Sequence, residues 1–413
     1  MRLHSSIPTF IAGLLTVVLV SACTGQGSPS TPAPARATPS PTPSTTESPE
    51  LTESPSPSAR PSPTPTDDDR ASATDWTEAA RFDAGEGLLL ASDVSAWSGG
   101  FIAIGHEWTD GYVGGPGGPR IWTSDDGRAW EEASLNLGPD TVELRGILRL
   151  SAGGVIVIGE QYGSDGPRAR AFRSEDGTSW TEIDLPTEIA ERGGVRVASG
   201  PVGHLITLDD EIWYSAEAES WQLVHEAPTG VTFLQPAAGD EGFVTSASSA
   251  DGDVPVIYAS GDGLTWYEGT TPTGVFGVAP WRGDWFGWGY TEDPASIGLF
   301  RSANGLDWSD AGDLSDLTGP GGPTAGQGMD SDVTEMTLSG EGSILLATLG
   351  WNHCCATPPR GVATYLTTDA ETWAPAGLPE GAYVSALATD GTVVVAAGHL
   401  ERGASIGLWV ADR

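Results

Sequence analysis

The sequence predicts an all-β protein, a seven-bladed β-propeller of four-stranded antiparallel blades whose last blade is completed by the N-terminal strand. Two observations carry this. A tryptophan recurs at Trp76, Trp130, Trp180, Trp221, Trp266, Trp308 and Trp373, so successive gaps are 54, 50, 41, 45, 42 and 65 residues by subtraction. A period of that size marks a repeat architecture. Between these tryptophans run short alternating segments, and no stretch shows a sustained helical apolar period with caps.

The turn before the tryptophan is the clearest element. Its fullest copies read Ser124-Asp-Asp-Gly-Arg-Ala-Trp130, Ser174-Glu-Asp-Gly-Thr-Ser-Trp180, Ser260-Gly-Asp-Gly-Leu-Thr-Trp266 and Ser302-Ala-Asn-Gly-Leu-Asp-Trp308. Worn copies read Ser215-Ala-Glu-Ala-Glu-Ser-Trp221 and Thr367-Thr-Asp-Ala-Glu-Thr-Trp373, and Trp76 has no such turn before it. Asp126, Asp176, Asp262 and Asn304 can accept hydrogen bonds from the backbone that follows them. Gly127, Gly177, Gly263 and Gly305 supply the positive φ of a tight hairpin. The tryptophan starts the partner strand and is placed to bury its ring between neighbouring sheets. These residues are therefore read as structural.

The turn resembles the Asp-box, or bacterial neuraminidase repeat, of sialidases and other β-propellers, and six copies spread the resemblance over residues 75–413. The family pattern is Ser-x-Asp-x-Gly-x-Thr-Trp. Here Asp or Asn sits next to Gly, and the box is one residue shorter.

Each repeat also holds a strand before its box, such as Arg120-Ile-Trp-Thr, and two earlier strand-like runs. Examples are Arg145-Gly-Ile-Leu with Val155-Ile-Val-Ile, and Thr232-Phe-Leu with Phe243-Val-Thr. The chain finishes with Ile406-Gly-Leu-Trp-Val-Ala-Asp-Arg413, a pre-box strand without its partner. The partner stands at the other end as Asp75-Trp-Thr-Glu-Ala-Ala-Arg81. Pairing the two closes the ring and leaves only short sheet edges.

The first 74 residues read differently. Residues 1–22 form a basic start and a short apolar run, the shape of a secretion signal rather than a membrane span of about 20 residues. Val20-Ser-Ala-Cys23 resembles the lipobox of bacterial lipoproteins, which implies lipidation of Cys23 after cleavage before it. Residues 23–74 then carry the lipid and a Pro/Ser/Thr-rich stalk with too few apolar groups to offset ordering entropy. Fully extended at about 3.1 Å per residue, some 50 residues would span on the order of 150 Å. The expected location is the outer face of a cell membrane.

Charge narrows the partners. Nineteen basic residues, all Arg, stand against 56 acidic ones, for a net charge of -37. Such a surface repels nucleic-acid phosphates, so no nucleic acid is expected. The chain shows no calcium-loop spacing, and no cofactor or metal is expected. A monomer is expected. Cys354 and Cys355 are adjacent, next to His353. They could close a vicinal disulfide, bridge to another molecule, or bind a soft metal, and the disulfide is preferred.

Propeller geometry sends the box turns to one face. Loops between second and third strands, and between blades, go to the other. That second face should gather His106, Glu107, Trp108, Asp110, Tyr162, Tyr290, Trp351, His353 and Arg402, a mixture suited to recognition. The sialidase resemblance implies an arginine cluster, a Tyr nucleophile activated by Glu, an Asp acid and six blades. Gly85 to Asp93 lacks the first arginine, and seven blades are expected here. The expected function is therefore a non-catalytic, membrane-anchored propeller binding a protein, peptide or glycan on the loop-rich face. Two alternatives stay open. One is a glycoside hydrolase or lyase drawing on Glu107, Asp110, Glu160, Glu292 or Asp293. The other is an assembly factor resembling the seven-bladed photosystem-assembly propellers.

Overall fold

The computed structural model describes residues 75–85, 87–108, 116–135, 142–249, 255–291, 297–318, 332–352, 361–400 and 403–413. Cys23, Asp110, Glu292, Asp293, His353, Cys354, Cys355 and Arg402 lie outside the described residues, as do the expected signal and stalk.

Seven antiparallel sheets follow one another around a central channel. Blade 1 holds Leu88–Trp97, Gly100–Trp108, Pro116–Ser124 and Glu131–Ala133. Blade 2 holds Val142–Arg149, Val155–Gly163, Gly166–Ser174 and Thr181–Ile183. Blade 3 holds Arg196–Gly200, Gly203–Leu208, Glu211–Ser215 and Gln222–Glu226. Blade 5 holds Gly277–Trp281, Asp284–Tyr290, Ile297–Ser302 and Ser309–Asp313, and blade 6 holds Asp332–Glu341, Ile344–Asn352, Gly361–Thr367 and Ala374–Pro375. Blade 7 takes Tyr383–Thr389, Val393–Leu400 and Ser405–Asp412 from the end of the chain, and Thr77–Asp83 from its start.

Blade 4 departs from the expected single inner strand. Val231–Phe233 and Ala237–Gly239 both pair with Gly242–Ser249, which pairs in turn with Val256–Ser260 and then Tyr267–Glu268. The break falls at Leu234-Gln235-Pro236, where Pro236 has no N–H to give to the ladder.

The predicted closure is present. Glu78 pairs with Trp409, Phe82 with Ile406 and Asp83 with Ser405. The N-terminal strand is thus the outer strand of blade 7.

Seven apolar clusters fill the spaces between neighbouring blades, and each contains one repeat tryptophan. Trp130 packs between blades 7 and 1, Trp180 between 1 and 2, Trp221 between 2 and 3, and Trp266 between 3 and 4. Trp308 and Trp373 follow in the next two interfaces. Trp76 fills the last, between blades 6 and 7. The recurring tryptophan is the wedge of the blade interface.

The box turns explain its placement. Ser124 Oγ accepts the N–H of Gly127 at 2.8 Å. Asp126 Oδ1 accepts from Arg128 N at 2.8 Å and Ala129 N at 3.1 Å, and Trp130 Nε1 donates to Gly127 O at 3.0 Å. The boxes of blades 2 and 4 repeat this pattern. In blade 5 Asn304 Oδ1 takes the carboxylate's place and Trp308 Nε1 donates to Gly305 O, while Ser302 Oγ accepts the N–H of Asn304 at 3.3 Å. The four glycines share φ 74°. The tryptophan sits one residue before the fourth strand rather than within it, because its backbone still belongs to the turn. The worn copies keep the same backbone with alanine, at φ 58° for Ala218 and 64° for Ala370.

Candidate functional site: the loop-side mouth of the channel

The turns between first and second strands lie at one end of each blade, and in blades 1 to 6 the boxes between third and fourth strands lie at the same end. Loops from second to third strands, and from blade to blade, lie at the other. The channel between these ends is lined by the inner strands and encloses about 480 Å³. At its loop-side mouth a second cavity of about 270 Å³ is lined by Ser92, His106, Glu143, Arg145, Arg196 and Gln235 among others.

A repeated backbone device shapes this mouth. Four inner strands carry one extra residue at the same level: Ser92, Arg145, Thr334 and Ser385 are skipped in the pairing with the second strand. The partner strand has a glycine beside each bulge, at Gly105, Gly159, Gly350 and Gly398. A Cβ on Gly105 would lie 2.4 Å from Leu90 O, on Gly159 2.6 Å from Glu143 O, and on Gly398 2.0 Å from Tyr383 O. Glycine is needed because the carbonyl two residues before the bulged one presses against it. The residue after each glycine then stands at the mouth: His106, Glu160, Trp351 and His399. Gly289 and Tyr290 repeat the arrangement in blade 5, where a Cβ on Gly289 would meet Gly274 O at 1.8 Å.

In blade 2 the bulge creates a charged cluster. Glu143 and Glu160 are cross-strand partners, both buried. Arg145 bridges them, with Nη1 at 2.8 Å from Glu143 Oε1 and Nη2 at 2.7 Å from Glu160 Oε2. Arg145 Nη2 also donates to Tyr162 Oη at 2.9 Å, and Tyr162 donates to Glu160 Oε2 at 3.0 Å. Glu160 Oε1 reaches the next blade and accepts Val195 N–H at 2.7 Å. Burial pushes the Glu143 carboxyl up, against the pull of Arg145. Burial also opposes ionisation of Glu160, but Arg145 and the hydrogen bonds from Arg145, Val195 and Tyr162 outweigh it and lower its pKa. The Tyr162 phenol is pushed up, chiefly by burial and then by the two carboxylates against the pull of Arg145.

His106 completes the cluster from blade 1. Its Nδ1 lies 3.2 Å from Ser92 Oγ and its Nε2 lies 3.4 Å from Glu143 Oε1. Burial, then Arg145 and His399, lower its pKa to about 3, so the ring is neutral. His399 is lowered to about 4 by burial and stacks on Tyr383 at 4.8 Å between ring centroids. From blade 3, Arg196 Nη1 donates to Gly194 O at 3.2 Å and Phe233 O at 3.1 Å.

The structure therefore brings His106, Glu160 and Tyr162 together. Glu107 lies one residue outward and is tied to Arg120 at 2.5 Å. Trp108 packs edge-on to His106, with centroids 6.0 Å apart. Tyr290 belongs to a separate aromatic group in blade 5, 5.4 Å from Phe276, which stacks on Trp288 at 5.5 Å. Trp351 is the penultimate residue of the second strand of blade 6, where its backbone pairs with Val333 and Gly361. Sequence reasoning missed Glu143, Arg145, Arg196 and Gln235. The signal that could have found the first two is the glycine before Glu160, which marks a bulge opposite it.

Among the described residues no three His, Cys, Asp or Glu side chains converge on a metal position, and no helix is long and apolar enough to cross a membrane.

No protein-family model matches this chain, and no curated protein matches it. Solved structures do. The chain is similar to YCF48 bound to D1 peptide, with 13% identity and a TM-score of 0.51 over 82% of this chain and 97% of that one. It is also similar to a catalytically inactive virginiamycin B lyase from Staphylococcus aureus with quinupristin, with 11% identity and a TM-score of 0.50 over 82% and 100%. Trypanosoma rangeli sialidase matches 68% of this chain and 56% of its own length, with 13% identity and a TM-score of 0.42. At these identities the likeness is one of fold alone.

Proposed function

We propose that this chain is a lipid-anchored, extracytoplasmic propeller that binds a peptide segment of a partner protein at the loop-side channel mouth, without catalysing a reaction on it. The observation that carries this reading is the Arg145 bridge. Glu143 and Glu160 are buried, and both are held by one guanidinium. Neither carboxylate is free to act as the acid or the nucleophile of a glycosidase. What the mouth presents to solvent is the half-buried Arg145 head, Tyr162 and Tyr290, which suits hydrogen bonding and stacking against a ligand. The similarity of fold to a propeller with a bound peptide supports the same reading.

One contact favours a second reading. The Tyr162–Glu160 hydrogen bond resembles the nucleophile pair of a sialidase-like hydrolase. Against it, the phenol is pushed up rather than down, which opposes a phenolate nucleophile. The test is a peptide array probed with the full chain, run beside hydrolysis of a fluorogenic sialoside. Peptide capture that is lost in Tyr162→Ala and Tyr290→Ala supports binding. Sialoside turnover abolished by Tyr162→Phe overturns it.

The anchor is part of the proposal and rests on Val20-Ser-Ala-Cys23 ahead of the Pro-rich stretch. Lipid labelling should disappear in Cys23→Ala. Recovery of the wild-type chain wholly in the soluble secreted fraction, with no lipid mass on Cys23, contradicts it.

A further inference from the structure

The chain leading from the N-terminus enters the propeller at the box-turn end, opposite the candidate site. Thr77 pairs with Val410 near the C-terminus. Asp412 is bonded to Arg128 of the blade 1 box, and Arg413 N–H donates to Thr392 O in the first turn of blade 7 at 3.0 Å. The strand then crosses the whole blade and ends at Asp83, paired with Ser405 on the loop side. There the connection to blade 1 is fixed by Ala84 N–H to Ala404 O at 2.8 Å and Leu89 N–H to Gly403 O at 2.6 Å.

We infer that the strand Thr77–Asp83 is a shear clamp, which lets the propeller carry tension between an N-terminal tether and a ligand held at the loop-side mouth. The inference rests on the proposed function for its two points of attachment. Its mechanical content does not need the ligand. Tension from the N-terminus toward the mouth acts along this strand. All its backbone hydrogen bonds to Ser405–Asp412 then lie across the pull, and they must fail together. Side chains add to the resistance. Trp76 is lodged between blades 6 and 7, and Phe82 stacks on Trp122 of blade 1 at 5.1 Å. Both would have to leave apolar packing before the strand could slide. Tension between the N- and C-termini is different. Thr77, where the first described strand begins, and Arg413 both lie at the box-turn end. Such a pull opens the ladder from Thr77 one bond at a time. The same strand should thus be strong in one direction and weak in the other, and the strong direction is the one that anchoring and ligand binding would load.

Single-molecule pulling on the full chain tests this. One handle is placed at the N-terminus. The other is placed either after Arg413 or in the exposed turn between Ser164 and Asp165 on the loop side. The first rupture should require a severalfold higher force with the loop-side handle than with the C-terminal one. Phe82→Ala should lower the loop-side value and leave the C-terminal value nearly unchanged. Equal forces in the two geometries overturn the inference. So does a first loop-side rupture whose released length belongs to blades 1 or 2 while Thr77–Asp83 stays in place. Failure of the peptide array together with a large force ratio would remove the proposed ligand and leave the clamp standing.

Discussion

Glu160 of blade 2 accepts the backbone N–H of Val195 in blade 3 at 2.7 Å, while its other oxygen holds Arg145 of its own blade. One buried carboxylate thus fixes both the blade boundary and the charged centre of the channel mouth. Breaking a buried ion pair by removing one partner costs about 3–5 kcal/mol. Arg145 keeps Glu143 and is one-third exposed, so Glu160→Ala should cost less, about 2 kcal/mol, in denaturant unfolding. Glu160→Gln keeps an acceptor for Val195 and should cost less again. An unchanged unfolding midpoint for Glu160→Ala would show that the cluster does not hold the boundary.

The glycine level of the mouth is testable through Gly159. Its Cβ would press on Glu143 O at 2.6 Å and on Val142 Cγ1 at 2.9 Å. Gly159→Ala should flatten the bulge that swings Arg145 outward and destabilise the fold by about 1–3 kcal/mol, the usual range for overpacking. Peptide capture should fall in protein that remains folded. Capture at wild-type level would separate the bulge from binding.

This pair of residues also shows what the sequence reveals and what it conceals. The period of the tryptophans predicts the blade count, and the lone strand at each end predicts the closure, because both follow from local pattern and chain order. In the sequence Arg145 only opens a strand-like run, and Glu143 stands just before it. Their meeting with Glu160 depends on cross-strand register shifted by a bulge, which leaves no mark beyond a glycine in the neighbouring strand. The break at Pro236 is concealed for a similar reason. The flanking runs alternate well, and only the missing N–H divides them.

The box turns predict two opposite effects. Ala370 stands at φ 64°, where an L side chain costs about 1–2 kcal/mol, while glycine loses about 0.5–1 kcal/mol of chain entropy. Ala370→Gly should therefore raise stability by about 0.5 kcal/mol, seen as a small rise in Tm. Gly263→Ala should do the reverse and more strongly. Its Cβ would meet the Tyr214 ring at 2.3 Å, on a backbone at φ 74°. A loss of about 2 kcal/mol or more is expected. A neutral Gly263→Ala would mean that the box tolerates a different backbone.

Acid sensitivity should begin well above the carboxylate range. His106 is lowered to about 3, and His204 and His399 to about 4, each chiefly by burial. In the unfolded chain these rings take up protons near pH 6.5, while the folded protein refuses them. Their contribution to stability is full above pH 6.5 and is lost progressively as pH falls toward 4. Asp93 opposes this weakly. Burial raises its pKa to about 6, so it favours the folded state at low pH, and that contribution fades as pH rises from 3.8 through 6. Three histidines outweigh one carboxyl. Urea midpoints should fall between pH 7 and pH 4.5, and His399→Gln should shallow the slope. A midpoint that is flat over this range would contradict burial of the neutral rings.

The closing strand sets the last expectation. Trp76 has no box before it, and its indole Nε1 has no hydrogen-bond partner among the described residues. It occupies the same interface position as the six box tryptophans, between blades 6 and 7. Among the described residues its contribution is apolar packing. Trp76→Ala should cost about 3 kcal/mol, the lower end for a large aromatic because the ring is only partly buried. Trp76→Phe should recover most of the loss, since no polar contact has to be replaced. Deleting the chain through Phe82 removes all but Asp83 of the outer strand of blade 7. The edge of Ser405–Asp412 then stands unpaired, which invites association with another chain. The truncated protein should melt many degrees lower and aggregate on heating, as read by light scattering alongside circular dichroism. If it melts within a degree or two of the intact chain and stays monomeric, pairing of the two chain ends is not what holds the ring closed.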